Sequence, residues 1–132
     1  MASIFTKIIK KELPAHVVAE TDQYIAFLDN KPMAMGHTLV VLKKEIDYLF
    51  DIDDQTLGSM LVFAKHVGLA IQQVIPCQRM GIAAVGLEVP HAHMHLVPLN
   101  SAYDIDFSKP PLSCSQSTLA DLATRIAAKV AL

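Results

Sequence analysis

Apolar residues recur along the middle of the chain at Leu57, Leu61, Ala64, Gly68, Ile71 and Ile75, spacings of 4, 3, 4, 3 and 4. This is the buried stripe of an amphipathic helix. The carboxylates Asp51, Asp53 and Asp54 stand at its start, where they suit free amides and the helix dipole. Pro76 marks its end. A second helical stripe, Leu119, Leu122, Ala123, Ile126 and Val130, predicts a C-terminal helix with Ser117 or Thr118 as N-cap. Ile4, Phe5, Ile8 and Ile9 predict one short helical turn that Pro14 keeps from extending. Between these lie β-type runs: Tyr24 to Leu28, closed by an Asp29-Asn30 turn; His37 to Leu42; Arg79 to Val85; and His91 to Leu99, strictly alternating at its start. Residues 31–36 and 86–90 are breaks, and 100–117, with Pro110 and Pro111, is irregular. Helices gathered against one antiparallel sheet, an α+β layout, fit this order better than βαβ alternation.

At 132 residues the chain is expected to form a single domain over 1–132. Its 11 basic and 13 acidic side chains leave a net charge of −2, which argues against a partner such as a nucleic-acid polymer. Hydrophobic residues make up 52% and charged ones 18%, unlike a disordered chain. No apolar run approaches the ~20 residues of a membrane span, and the N-terminal stretch lacks a secretory signal pattern. The expected location is therefore the cytoplasm. Cys77 and Cys114 form neither a disulfide framework nor a zinc cluster, and reduced thiols are expected. Histidine stands out: there are six, and His91, His93 and His95 fall within five residues.

On a strand those three imidazoles share one face, with same-face neighbours about 7 Å apart. Such a row is an odd way to satisfy a core, whereas His16 and His66, standing alone, are ordinary. Two chemistries compete. The row can ligate a metal, with Cys77 or Glu88 as further ligands, although no second pair with ligand spacing appears. Alternatively one imidazole attacks phosphorus and forms a covalent intermediate, while its neighbours set its tautomer and protonate the leaving group.

The segment HAHMHLV, residues 91–97, resembles the signature of the histidine triad family, H-φ-H-φ-H-φ-φ with φ apolar. Residues 3–44, with S-I-F-T-K-I-I, a strand ending in an aspartate and a Pro-containing loop leading to G-H-T-L-V, resemble the Hint-like branch. The resemblance covers residues 3 to about 100. It implies a five-stranded antiparallel sheet with one long and one C-terminal helix, a homodimer, and a nucleotide hydrolase or transferase acting at the α-phosphate. It further implies that His93 attacks phosphorus, that His95 stands near the phosphate and departing group, that His91 orients the cluster, and that His37 buttresses it. Asp29 matches the aspartate that holds the ribose hydroxyls. Ile4, Phe5, Ile8, Phe27 and Leu28 match an apolar slot for the base, and purine nucleoside monophosphate derivatives are the implied ligands. Because the cysteine pair of zinc-binding members is absent, with Thr6 at one such position, no metal and no cofactor is expected. The clustered histidines are expected to push one another's pKa values apart.

Departures from the family pattern cluster around the phosphate. Members usually read G-Q-[ST]-V-x-H before the triad, and here Gly86-Leu87-Glu88-Val89-Pro90-His91 stands. Leu87 donates no hydrogen bond, an ionised Glu88 repels an anion, and Ala83 or Ala84 occupies the region of a usual asparagine. One lost donor to developing charge is worth ~3–4 kcal/mol. The expectation is a slower hydrolase; the alternative is a nucleotide-binding regulatory module with little turnover.

Overall fold

The computed structural model describes residues 2–132. Helix α1 (Ile4–Ile9) is followed by strands β1 (Val17–Glu20), β2 (Tyr24–Leu28) and β3 (Thr38–Leu42), helix α2 (Asp54–Val74), strands β4 (Arg79–Ala83) and β5 (His93–Leu99), and helix α3 (Gln116–Ala127). The strands form one antiparallel sheet in the order β1-β2-β3-β5-β4. Short 3₁₀ turns occupy Leu49–Asp51 and Ala102–Asp104.

Side chains alternate across the sheet and divide its packing in two. Ala26, Leu28, Val40, Leu42, Met94 and Leu96 face α2 and α3, where Met60, Phe63, Val67, Ile71, Leu122 and Ile126 complete the larger core. Ile25, Phe27, Leu39 and Val41 face the other way and are covered by Phe5 of α1. On β5, His93 and His95 stand opposite Val41 and Leu39. The histidines therefore belong to the smaller face, under α1.

Each helix starts on a side-chain cap. Ser3 accepts from Thr6 N–H at α1, Asp53 from Thr56 N–H at α2, and Ser115 from Thr118 N–H at α3. The last corrects the expected cap at Ser117 or Thr118: Ser115 is the hydroxyl whose extended backbone leads into the first turn. The α2 stripe is also rotated from expectation. Ala64, Gly68 and Ile71 are buried with Met60, Phe63, Val67 and Ala70, but Leu61 is 49% exposed beside exposed Val62 and Leu69. The strand expected from His91 begins at His93, because His91 N–H is turned back onto Val89 O and Ala92 N–H onto Ile46 O. β4 ends at Ala83, two residues before the expected Val85. β1, short and flanked by polar residues, has no counterpart among the strands expected from periodicity.

Gly36 places the next residue, His37. Its φ of +92° suits glycine alone, and a Cβ there would lie 3.1 Å from Ile75, 3.2 Å from Pro98 and 3.3 Å from Ile71.

Candidate active site

A cavity of about 620 Å³ opens on the smaller face of the sheet. Ile4, Phe5, Ile8, Phe27 and Leu28 line one part of it, with Asp29, His37, His93 and His95 further along. Val85–Val89 and, from the C-terminal segment, Asp106, Phe107, Lys109 and Pro111 contribute the far wall. Nine of the ten residues singled out from the sequence thus meet at one cavity.

His91 is the exception. It is fully buried and does not line the cavity. The expected row of three is interrupted by Phe5, whose ring stands 5.9 Å from His91 and 4.9 Å from His93, centroid to centroid. The second cluster of rings is tighter than strand spacing alone implies: His93 and His95 are 5.0 Å apart, and His95 and His37 5.2 Å.

The partners of each ring nitrogen assign its proton, since a carbonyl accepts and a backbone N–H donates. His91 Nε2 lies 2.5 Å from Leu42 O, so it carries the hydrogen, and His91 Nδ1 accepts from Ser3 Oγ at 2.7 Å. His93 Nδ1 lies 2.7 Å from His91 O and donates to it, leaving Nε2 with a free lone pair. Met33 N–H donates to His37 Nδ1 at 3.1 Å, so His37 carries its hydrogen on Nε2. That hydrogen is donated to His95 Nδ1 at 2.9 Å, which leaves His95 an Nε2–H. The site therefore offers a nitrogen lone pair on His93 beside an N–H donor on His95.

Burial is the main influence on these rings, and it disfavours the charged form. It pushes His37 and His95 down to about 4, with the neighbouring histidines adding to the drop at His95. His93 is lowered for the same reason, partly opposed by its bond to His91 O. The shifts therefore run in one direction rather than apart, because desolvation outweighs the differences among neighbours. Burial raises the Asp29 carboxyl, opposed by the Lys31 N–H that it accepts at 2.9 Å.

Asp29, His37 and His95 bring one ligand-type atom each within 4.8 Å of one another. The hydrogen bonding disfavours a metal there. Met33 N–H occupies His37 Nδ1, so the proton sits on Nε2, the atom a metal would need bare. Cys77 lies instead against Met80, its sulfur 4.0 Å from the thioether.

The far wall carries the departures. Leu87 is 87% exposed and Glu88 is exposed, both on the rim. Ala83 pairs with His95 across the sheet, so a methyl group occupies the position beside it. Phe107 adds a contact that periodicity does not reveal: its ring packs edge-on to His95 with centroids 4.8 Å apart. Only its aromatic character within an irregular, Pro-rich stretch singles it out.

The HIT domain model matches residues 10–102. The chain is 31% identical over 133 residues to the adenosine 5'-monophosphoramidase hnt1 of Schizosaccharomyces pombe, covering 98% of this chain and 99% of that protein. It is 39% identical over 99 residues to the adenosine 5'-monophosphoramidase HNT1 of Saccharomyces cerevisiae, covering 74% of this chain and 62% of that one. The crystal structure of a hypothetical histidine triad nucleotide-binding protein from Sulfolobus tokodaii superimposes with a TM-score of 0.83 at 26% identity, covering 95% of this chain and 89% of that one.

Proposed function

The chain belongs to the HIT domain family, and on that premise we propose that it cleaves a nucleoside phosphoramidate or phosphoanhydride at the α-phosphate through a nucleotidyl intermediate on His93. The observation that carries this is the protonation pattern: His93 Nδ1 donates to His91 O, so a neutral ring keeps Nε2 as a lone pair at the cavity. A neutral imidazole is a good nucleophile, and a covalent intermediate divides one displacement into two easier ones.

The base lies in the apolar slot of Ile4, Phe5, Ile8, Phe27 and Leu28, and Asp29 takes the ribose hydroxyls. This orientation puts the α-phosphate over His93. As the bond from Nε2 to phosphorus forms, the bond to the leaving group breaks and the leaving atom takes the electron pair. An anionic phosphate favours added positive charge nearby, so the bound complex draws a proton onto the cluster. His95 Nε2–H is the group placed to pass that proton to the departing atom. His37 holds His95 in this tautomer through the 2.9 Å bond, and Met33 N–H holds His37. Water then attacks phosphorus, passing a proton to His95 Nε2 as the bond to His93 Nε2 breaks, and the monophosphate is released.

The working particle is a cytoplasmic homodimer of single-domain protomers. Exposed Leu61, Val62 and Leu69 on α2 and the open edge of β4, with exposed Ile82, supply an apolar surface for the partner protomer. Among the described residues no helix is long and apolar enough to cross a membrane.

A nucleotide-binding module with little turnover is the second reading, favoured by Leu87, Glu88 and Ala83 where hydrogen-bond donors would serve the phosphate. Incubation with adenosine phosphoramidates of varied base and leaving group separates the two. Release of monophosphate above a His93→Ala blank supports the hydrolase. Binding without release above that blank supports the module.

A further inference from the structure

The base slot and the nucleophile are built on different parts of the chain, and one carboxylate joins them. Glu45, in the loop after β3, accepts two hydrogen bonds on the same oxygen: from Ser3 N–H at 2.6 Å and from Thr6 Oγ1–H at 2.6 Å. Ser3 is the N-cap of α1, the helix that carries Ile4, Phe5 and Ile8 into the cavity. The Ser3 hydroxyl in turn donates to His91 Nδ1 at 2.7 Å. Thr6 Oγ1 lies 3.4 Å from the same nitrogen, and the Glu45 carboxylate 3.9 Å from it. His91 Nε2–H is held by Leu42 O, and His91 O holds His93 Nδ1–H.

A continuous chain of bonded groups thus runs from Glu45 through the α1 cap to the ring of His91 and, by its carbonyl, to His93. We infer that Glu45 is a positioning residue, which clamps α1 against His91 and so sets the base slot and the His93 ring in one register. Charge-assisted bonds of this length are stronger than neutral ones, and the donors are the N-cap and a first-turn residue of a six-residue helix. A helix so short has little stability of its own. Its place depends on its anchors, among them the covering Phe5 ring, the bond from Ser3 to His91 and the Glu45 carboxylate. The exposed position of Glu45, outside the cavity, means that it touches neither substrate nor reacting atoms.

This inference rests on the proposed function only for the identity of the ligand. The test compares wild type, Glu45→Gln, Glu45→Ala and Thr6→Val by adenosine monophosphate titration and by ¹⁵N signals of the histidine rings, with thermal melting alongside. In Glu45→Ala, adenosine monophosphate affinity is expected to fall about tenfold, and the His91 Nδ1 signal to lose the shift of a hydrogen-bonded acceptor. Glu45→Gln, which retains an acceptor oxygen for both donors, is expected to recover most of the affinity and the His91 signal. Thr6→Val, which removes one link and keeps Ser3, is expected to fall between them. Wild-type affinity and unchanged ring signals in Glu45→Ala would overturn the assignment. So would equal losses in Glu45→Ala and Glu45→Gln that track melting temperature alone. If Glu45→Ala does not fold, Glu45→Gln and Thr6→Val decide by the same ring signals. Failure of wild type to bind adenosine monophosphate would instead count against the nucleotide reading, and the ring signals would still decide the role of Glu45.

Discussion

Each ring of the cluster has at least one nitrogen whose partner decides where its proton sits, and this makes the pH dependence of the proposed reaction specific. Burial lowers His37 and His95 to about 4 and lowers His93 below its ordinary value. For a base with a depressed pKa, the neutral form persists further into acid, so the free protein keeps the proposed nucleophile, His93, neutral below the ordinary histidine value of about 6.5. The kcat/KM profile is therefore expected to hold as pH falls through about 6.5 and to decline only further into acid, as the cluster protonates. A midpoint at or above about 6.5 would contradict the protonation scheme. The same sign applies to stability: between about 6.5 and 4 the unfolded chain binds protons that the native rings refuse, so stability declines as pH falls through that window. The rim makes a second residue-scale prediction. Replacing Leu87 by Gln and Glu88 by Ser supplies donors and removes a repelling charge, so kcat is expected to rise about tenfold or more. Steady-state kinetics on an adenosine phosphoramidate check it.

At the scale of elements, the turn before β3 and the C-terminal segment hold the chemistry in place. Gly36→Ala forces a side chain into a left-handed backbone and against Ile75, Pro98 and Ile71. A loss of about 1–3 kcal/mol is expected in chemical denaturation, with activity falling further because His37 follows directly. β2 was legible to the residue, because five consecutive apolar positions end at an aspartate and turn. The span of α2 is equally clear, but Leu61 falls outside its inner face: a helix lying across a sheet buries a broad strip, and spacing alone leaves its centre free to rotate. His91 shows another limit. Alternation puts it on the strand, yet its N–H bonds to Val89 O and its ring serves the α1 cap. The resemblance named His37 and Asp29, and folding gathered them with His93 and His95. Nothing in the sequence gives Phe107 a role or marks Glu45 at all, since tertiary contacts across long sequence separations bring Phe107 to His95 and Glu45 to Ser3 and Thr6.

For the whole molecule, the outward apolar face of α2 and the edge of β4 bear on assembly. Large exposed apolar surfaces on a small domain mark contact sites, and Leu61, Val62, Leu69 and Ile82 are about half exposed. Sedimentation of the wild type is expected to give a dimer, and Leu61→Glu with Leu69→Glu to give a folded monomer. A wild type that sediments as a monomer would contradict the proposed assembly while leaving the cluster chemistry intact.

The proposed chemistry turns on one bond, from His93 Nε2 to the α-phosphorus. It is tested most directly by rapid quenching of the protein with an adenosine phosphoramidate under base, followed by intact and peptide mass spectrometry. One nucleotidyl group is expected on the peptide carrying His93, formed and lost at rates compatible with turnover, and absent from His93→Ala. Monophosphate release with no such adduct, or release undiminished in His93→Ala, would contradict it.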